Sequence, residues 1–450
     1  MAQVSIFWHR RDLRLEDNAG LYYALRSAYR VQPIFIFDTE ILDKLPSKYD
    51  ARVEFIYDHV LRLHEELKAY GSSLRVYYGN PNKVWASILT EYDVAEVYTN
   101  RDYEPYAHAR DAAVVERLRE HNIPFKTYKD HVIFEKGEVL KKDGTPYTVY
   151  TPYKNRWHQK LTTKAPVGDK TADETDSFYL QSYPTLAYAD RFHITEPYAV
   201  IGLEEMGFER TAIEPPSKQV AEDLIARYDQ TRDTPSVMGT SRLGVHFRFG
   251  TISIRERARV ARGLNETFLN ELVWRDFYAQ IMAEFPHVVE HPFREKYSLI
   301  EWRNDEADFK AWCEGRTGYP LVDAGMRELN ATGFMHNRVR MTAASFLIKH
   351  LLIDWRWGEQ YFADKLLDFD LASNNGSWQW VAGTGTDASP YFRVFNPESQ
   401  QRKFDKDMRY IRHWIPEYGT DRYPEPIVEH KMARQRAIEA YKEGLGKYPG

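Results

Sequence analysis

The segment at residues 326–397 adds polar side chains and tryptophans to a pattern that predicts helices. Its apolar residues recur at the α-helical period, which places Asn337, Arg340 and Met341 on one helix face. Buried guanidinium and carboxylate groups are costly unless they are paired. We therefore expect Arg340 to form an ion pair with Asp368 beside a bound polar ligand.

A carboxyl group and an indole have the spacing for one pocket in the segment ELVWRDFY at 271–278. Glu271 and Trp274 lie three residues apart, so they share one face of the helix that this segment predicts. Such a pair could hydrogen-bond and pack against a single ligand. From the residues alone an alternative stays open, in which Trp274 belongs to the core and Glu271 is solvated.

A candidate phosphate cradle, GTSRL at 239–243, precedes the helix predicted near Ser253. Its hydroxyl groups, backbone amides and arginine suit an anion, although an ordinary capped turn would use the same residues. The run GTGTDA at 383–388 fits a dinucleotide fingerprint only superficially, because no clear strand precedes it and no clear helix follows it. No Cys or His residues have convincing metal-ligand spacing, so we predict no metal site.

Tryptophan is unevenly distributed, with eight of the eleven residues at or after Trp274. Packing alone could explain this distribution, because indoles bury large areas. Basic residues also cluster in this half of the chain, namely Arg232, Arg338, Arg393, Arg402, Lys403 and Arg409. Such a cluster is usually a solvated face, but it would also suit contact with phosphate groups.

The composition is typical of a soluble globular protein, with 43% hydrophobic and 28% charged residues. Because the net charge is −5, binding to DNA would have to rest on a local basic patch. The single cysteine, Cys313, excludes an internal disulfide. No signal region and no run of about 18 apolar residues occurs, so we expect a cytoplasmic protein without membrane spans.

Three regions are expected from the local patterns, and together they predict an α/β plus all-α fold class. Residues 1–130 alternate short strands with helices, which predicts a doubly wound parallel sheet that binds ligands at the carboxyl ends of its strands. Residues 131–199 lack sustained periodicity and are predicted to form an interdomain connector. Residues 200–450 show successive helical patterns without strands, which predicts an all-helical domain.

Five segments resemble the cryptochrome/photolyase family, and within it the class I cyclobutane pyrimidine dimer (CPD) photolyases most. They are FWHRRDLRLEDN (7–18), ELVWRDFY (271–278), TGYPLVDAGMRELNATGFMHNRVRM (317–341), DWRWGEQYF (354–362) and DLASNNGSWQWVAGTGTDASPYFRVFNP (370–397). The resemblance extends over essentially the whole chain, and its motifs are long enough to be specific. It implies an antenna-binding α/β domain, a connector and a helical FAD-binding domain.

The resemblance implies FAD, active in its reduced form, in the helical domain. Its diphosphate and ribityl chain would contact Tyr228, Thr240, Ser241, Arg242 and Leu243, although the chain departs from the family's usual residues at Gly244 and Val245. Asn374 would face the flavin N5, and the further cofactor residues would be Arg275, Asn337, Arg340, Asp368 and Asp370. A second antenna chromophore, a folate, a deazaflavin or another flavin, would lie in the α/β domain near residues 8–12, 38 and 100–104.

The resemblance also implies a pocket for a flipped pyrimidine dimer. Glu271 would hydrogen-bond a carbonyl group of the dimer, Trp274 would pack against it, and Asn337, Met341 and Trp380 would complete the pocket. Electrons would pass along Trp378, Trp355 and Trp302 when light reduces the oxidised flavin. The residues that contact DNA would be Arg232, Trp274, Arg338 and Arg393.

These features together lead us to expect light-driven repair of CPDs by electron transfer from reduced FAD. Photolyases for (6-4) photoproducts carry two histidines for proton transfer where this chain has Asn337 and Met341, so we do not expect repair of that lesion. The alternatives are a cryptochrome-type signalling photoreceptor and a redox flavoprotein for small molecules. The expected partner is UV-damaged DNA, and the protein is expected to be a monomer without an obligate protein partner.

Overall fold

The computed structural model describes residues 2–162 and 177–448. Within these ranges the chain divides into two compact units. The sheet unit comprises Met1–Val139, Asn155–Gln219 and Leu243–Gly263, and the helical unit comprises Leu140–Lys154, Val220–Arg242 and Leu264–Gly450. The predicted connector at 131–199 therefore contributes to both units, and its residues 163–176 lie outside the described ranges.

Five parallel strands form the sheet in the order β3-β2-β1-β4-β5. Their bounds are β1 Val4–His9, β2 Arg30–Asp38, β3 Arg75–Gly79, β4 Val94–Asn100 and β5 Phe125–Tyr128. The central strand β1 is buried along its whole length, as expected for a strand covered on both faces. Its register with β2 runs from Val4 opposite Arg30 to His9 opposite Phe35. The parallel sheet predicted for the N-terminal region is confirmed.

Helices connect these strands and continue beyond them. As far as residue 264 they are α1 Ala19–Leu25, α2 Thr39–Leu42, α3 Ala51–Lys68, α4 Pro81–Glu91, α5 Pro105–Glu120, α6 Tyr150–Leu161, α7 Glu222–Ala226, α8 Tyr228–Thr231, α9 Gly244–Phe249 and α10 Ile254–Leu264. Short 3₁₀ segments lie at Phe178–Leu180 and Thr185–Arg191. Asp or Asn side chains cap α1 to α4 by accepting a backbone N–H, which stabilises the start of each helix.

Two helices of the predicted helical domain, α9 and α10, belong to the sheet unit instead. Arg255 of α10 is buried and donates to Asp17 Oδ1 at 2.9 Å and to Asp130 Oδ1 at 2.8 Å. Although burial opposes it, the guanidinium groups of Arg14 and Arg255 hold the pKa of Asp130 well below its usual range. The boundary predicted at residue 200 therefore does not match the division into the two units. These hydrogen-bonded pairs connect residues that are far apart in the chain, with separations of 238 and 125 positions.

The helical unit continues with α11 to α19. Their bounds are α11 Glu266–Glu284, α12 Glu306–Cys313, α13 Pro320–Thr332, α14 Asn337–Ser345, α15 Trp355–Lys365, α16 Leu371–Ala382, α17 Pro397–Phe404, α18 Arg409–Trp414 and α19 His430–Gly446. Two 3₁₀ segments occur at Pro286–Val289 and Glu295–Tyr297. No strand occurs among residues 200–448, which agrees with the helical pattern of the sequence.

The core of the helical unit surrounds α14 and the π-helical segment Phe346–His350 that follows it. The helical period of the segment 326–397 predicts a regular α-helix here, whereas in the structure its last turn is a wider π-helix. Within this segment Lys349 is fully buried, and its Nζ donates to the Ala382 carbonyl at 3.0 Å. Burial lowers the pKa of Lys349 well below its usual value. No helix in the described ranges is long and apolar enough to cross a membrane.

Candidate active site

Glu271 lies on α11 and is held by an arginine from α8's C-terminal end. Arg232 donates from Nη1 to Glu271 Oε1 at 2.5 Å. Burial raises the pKa of the Glu271 carboxyl group, although the Arg232 charge opposes the shift. The carboxyl group is therefore more easily protonated than a solvated one, and one guanidinium group fixes its position. This contact also occupies Arg232, which the family resemblance assigns to DNA.

Trp274 lies one turn further along α11, and a tyrosine that the sequence analysis missed stacks on it. The rings of Tyr150 and Trp274 are 3.4 Å apart and nearly parallel, at 5°. The Tyr150 hydroxyl donates to the Asn270 carbonyl at 2.9 Å. On α11 itself, Tyr278 stacks obliquely on Trp274 at 5.5 Å and 29°. Tyr150 belongs to the aromatic run VYTPY at 149–153, a signal that the sequence offers within the predicted connector.

The first two turns of α14 carry Asn337 and Met341, with Arg338 and Arg340 between them. Asn337 is exposed and Met341 is half-buried. Arg338 donates to Asp233 Oδ1 at 2.6 Å and lies 3.8 Å from the Met341 sulfur. The charges of Asp233 and Arg338 both act on the Glu271 carboxyl group. The structure therefore brings this end of α14 into the electrostatic surroundings of Glu271.

The expected ion pair between Arg340 and Asp368 is present. Arg340 Nη2 donates to both carboxylate oxygens of Asp368, at 3.1 and 2.9 Å. The guanidinium carbon of Arg340 lies 5.5 Å from the Phe334 ring centroid, and that of Arg242 lies 4.3 Å from the same centroid. Arg242 also has a φ of 52°, a conformation that is uncommon outside glycine. Two cations thus meet at one aromatic ring.

The remaining residues expected for the cofactor diphosphate do not all lie in one unit. Tyr228 packs edge-on against Phe268 at 5.2 Å in the helical unit. Thr240 and Ser241 are half-buried in the same unit, as is Arg275 on α11. Leu243, in contrast, is buried in the sheet unit immediately before α9.

Helix α16 presents a row of buried amides. Asp370 caps its start by accepting the Ser373 N–H at 3.1 Å. Asn374 is buried and donates from Nδ2 to the Glu359 carbonyl at 3.1 Å. Asn375 donates to Glu359 Oε1 at 3.0 Å, so one glutamate of α15 anchors two neighbouring amides. Nothing in the local sequence pattern singled out Glu359.

The three tryptophans expected for electron transfer belong to one aromatic region. Trp378 and Trp355 are buried in the core of the helical unit, and the half-buried Trp302 packs against this core. Trp378 also has an edge-on neighbour in Trp312, at 6.3 Å. A Cβ at Gly358 would lie 2.1 Å from Cη2 of Trp378, so α15 approaches the indole as closely as a glycine allows. The three tryptophans therefore belong to, or border, one hydrophobic core.

Trp380 and Arg393 lie further along the chain from Trp378. Trp380 is half-buried, and its carbonyl accepts the Ser389 N–H at 3.1 Å. Arg393 is exposed, and its guanidinium carbon lies 5.4 Å from the Phe395 ring centroid. An exposed arginine on an aromatic support is suited to contact with a phosphate group.

The carboxyl ends of β1 and β2 carry a second polar cluster in the sheet unit. The Trp8 ring has the guanidinium groups of Arg10 and Arg110 at 5.1 and 5.0 Å from its centroid. The Tyr106 hydroxyl donates to Asp38 Oδ2 at 2.5 Å. Burial raises the pKa of Asp38, although this hydrogen bond opposes the shift. Parallel sheets bind ligands at this edge, so the predicted ligand site coincides with this cluster and stays a prediction.

Comparison with known proteins assigns the chain to a family. Residues 5–170 match the DNA photolyase family, and residues 268–420 match the FAD binding domain of DNA photolyase. A deoxyribodipyrimidine photo-lyase from Halobacterium salinarum is 36% identical over 98% of this chain and 100% of its own length. The chain therefore belongs to the DNA photolyase family, as the sequence resemblance implied.

Solved structures give the same assignment. A bacterial class III photolyase from Agrobacterium tumefaciens has a TM-score of 0.83 at 32% identity, covering 99% of this chain and 98% of that one. An archaeal photolyase from Sulfolobus tokodaii, described with two FAD molecules, has a TM-score of 0.81 at 36% identity, covering 98% and 100%. The family, the fold class, the enzymatic nature of the protein and its FAD cofactor are thereby confirmed.

The residues of the helical unit fit FAD. Arg242 and Arg340 supply two cations at Phe334, which suits the charge of a diphosphate. Thr240 and Ser241, next to Arg242, carry hydroxyl groups, which are of the type that hydrogen-bonds a diphosphate. The buried Asn374 carries an amide, which is of the type that hydrogen-bonds the polar edge of a flavin ring.

Proposed function

We propose that this protein is a class I photolyase that repairs CPDs in DNA under light. FAD, when bound in its reduced form, supplies an electron to the lesion after it absorbs light. The observation that carries the proposal is the pairing of Glu271, a carboxyl group with a raised pKa, with Trp274 on the same helix. In this proposal, Glu271 donates a hydrogen bond to the pyrimidine dimer and Trp274 packs against its rings.

Glu271 is proposed to donate a hydrogen bond to a pyrimidine carbonyl oxygen. The lesion becomes more negative when it gains an electron, and a fixed donor at that oxygen stabilises the added charge. Burial raises the pKa of Glu271, which is the direction that favours the protonated form this role requires, although the Arg232 charge opposes the shift. Arg232, bonded to the same carboxyl group, holds it in position.

Asn337 and Met341 support the choice of lesion. An amide and a thioether do not exchange protons near neutral pH, whereas they can hydrogen-bond and pack against a base. Splitting a cyclobutane ring after electron transfer needs no acid or base at these positions. Repair of a (6-4) photoproduct, which needs proton transfer, is therefore not proposed.

Three further parts complete the proposal. Trp378, Trp355 and Trp302 would carry electrons that restore the reduced cofactor, and Arg338 and Arg393 would bind DNA phosphates. An antenna chromophore would bind beside Trp8 in the sheet unit, and its absorption spectrum would tell a folate, a deazaflavin and a flavin apart. The protein would act as a cytoplasmic monomer without an obligate protein partner.

The test is illumination of the reduced protein with oligonucleotides that carry either lesion. We expect restoration of the CPD substrate alone. Glu271→Ala should lower repair yield about tenfold while changing binding much less, because the lost hydrogen bond acts on charge that develops after binding. Glu271→Gln, which keeps a donor, is the matched control. Restoration of the (6-4) substrate alone would contradict the proposal, and restoration of neither would favour a signalling photoreceptor.

A further inference from the structure

The stack of Tyr150 on Trp274 is held from several sides. Tyr150 is 8% exposed, whereas Trp274 is only half-buried. Phe277 lies edge-on to Tyr150 at 5.8 Å, and the Tyr150 hydroxyl bonds to the α11 backbone at Asn270. A ring this well enclosed is a fixed support and not a mobile cover. It fixes the plane of the indole because parallel aromatic contact at 3.4 Å tolerates little rotation.

The loop 383–389, which contains the GTGTDA run, anchors this support. Asp387 accepts the Tyr150 N–H at 3.1 Å through Oδ2, and its own N–H donates to the Thr148 carbonyl at 3.2 Å. Two residues later in the same loop, the Ser389 N–H bonds to the Trp380 carbonyl at 3.1 Å. One short loop therefore connects the support of Trp274 to the backbone of Trp380.

We propose that Tyr150 and Asp387 are positioning residues that set the geometry of the lesion pocket through Trp274. Tyr150 fixes the indole plane from one face, and Asp387 fixes Tyr150 relative to the helix that carries Trp380. Because Tyr150 covers that face, a substrate ring contacts Trp274 by its remaining surface. This inference rests on the proposed function, since it takes Trp274 and Trp380 as walls of the pocket.

The first experiment compares DNA binding by the FAD-loaded protein and its variants, with and without a CPD in the duplex. Loss of a stacked aromatic pair should lower the affinity of Tyr150→Ala for lesion DNA roughly two- to tenfold. Affinity for undamaged DNA should not change. Tyr150→Phe should stay near the parent because the stack remains, and Asp387→Ala should shift affinity in the same direction as Tyr150→Ala.

The second experiment asks whether Tyr150 acts through Trp274. In a Trp274→Phe background, adding Tyr150→Ala should cause no further loss of lesion affinity, because the supported indole is already absent. Acrylamide quenching of tryptophan fluorescence gives a second measurement. The contribution of Trp274 is the difference in quenching between a protein and its Trp274→Phe form, and this contribution should be larger in Tyr150→Ala than in the parent. Tyr23→Ala is the matched control, since it removes a parallel stack with Tyr128 (4.4 Å, 12°) in the sheet unit.

The outcomes separate this inference from the function on which it rests. A full additional loss from Tyr150→Ala in the Trp274→Phe background would overturn it, as would unchanged quenching of Trp274. A parent protein that binds damaged and undamaged DNA equally would instead refute the proposed function. In that case the quenching measurement still decides whether Tyr150 positions Trp274.

Discussion

Replacing Glu359 with glutamine tests the electrostatics next to the amide proposed to face the flavin. Glu359 lies on α15, where its carbonyl accepts from Asn374 and its Oε1 accepts from Asn375 at 3.0 Å. Burial raises the pKa of Glu359 to about 7, although the Asn375 hydrogen bond and the Arg356 charge oppose the shift. The carboxyl group therefore titrates near neutral pH.

This raised pKa couples the protonation of Glu359 to folding. In the unfolded chain the group titrates near 4.5, so between about pH 4.5 and 7 the folded protein binds a proton that the unfolded chain has lost. Stability is then complete below pH 4.5 and is lost as the pH rises through about 7. At about 1.4 kcal/mol per pKa unit, the loss is about 3 kcal/mol.

Denaturant unfolding of parent and Glu359→Gln at about pH 5 and pH 8 measures this loss. Glutamine stays neutral and keeps an acceptor for Asn375, so the variant should gain about 3 kcal/mol relative to the parent over this range. Glu417→Gln is the matched control, because hydrogen bonding to Arg327 lowers the pKa of Glu417 below its ordinary 4.5. That contribution is lost only below about pH 4.5, so the difference between this variant and the parent should stay constant from about pH 5 to pH 8. A difference between parent and Glu359→Gln that is constant with pH would refute the raised pKa.

Three further predictions concern electron transfer, DNA binding and packing. Trp302→Phe should impair photoreduction of oxidised FAD while leaving repair by chemically reduced protein nearly intact; equal photoreduction in both proteins would exclude Trp302 from the path. Arg338→Ala and Arg393→Ala should each weaken DNA binding and lower by about one the slope of log affinity against log salt concentration. An unchanged slope would mean that the replaced arginine contacts no phosphate group; for Arg338 this would leave only its ion pair with Asp233. Gly358→Ala should destabilise the protein by about 1–3 kcal/mol in denaturant unfolding, because the new Cβ overlaps Trp378, whereas Gly263→Ala, which has nothing within 4 Å, should not.

Local spacing was enough to predict the elements of both halves of the chain. Strand and helix patterns alternate over the first 130 residues, and parallel strands with crossover helices are the arrangement they allow. The ion pair of Arg340 with Asp368 was also predictable, because buried guanidinium and carboxylate groups are costly unless they are paired. These conclusions depend on periods of two or 3.6 residues, which are readable within a short window.

Local spacing could not predict contacts between residues far apart in the chain. The stack of Tyr150 on Trp274 joins a predicted connector to α11, and no local pattern in either segment predicts this contact. The pairing of Arg255 with Asp17 likewise assigns α10 to the sheet unit against the helical pattern of its neighbours. Such contacts depend on the complete packing of the chain.

The sequence by itself therefore determined the element types, the family and the residue types of the pocket. The tertiary structure decided which charges pair across distant parts of the chain, as Arg232 does with Glu271, and which aromatic rings stack on one another. Glu271 illustrates this division. Its spacing from Trp274 follows from the helical period. Its raised pKa follows from burial, which the charge of Arg232 at the end of another helix opposes. Burial depends on every element that packs around a group, and no local window contains that information.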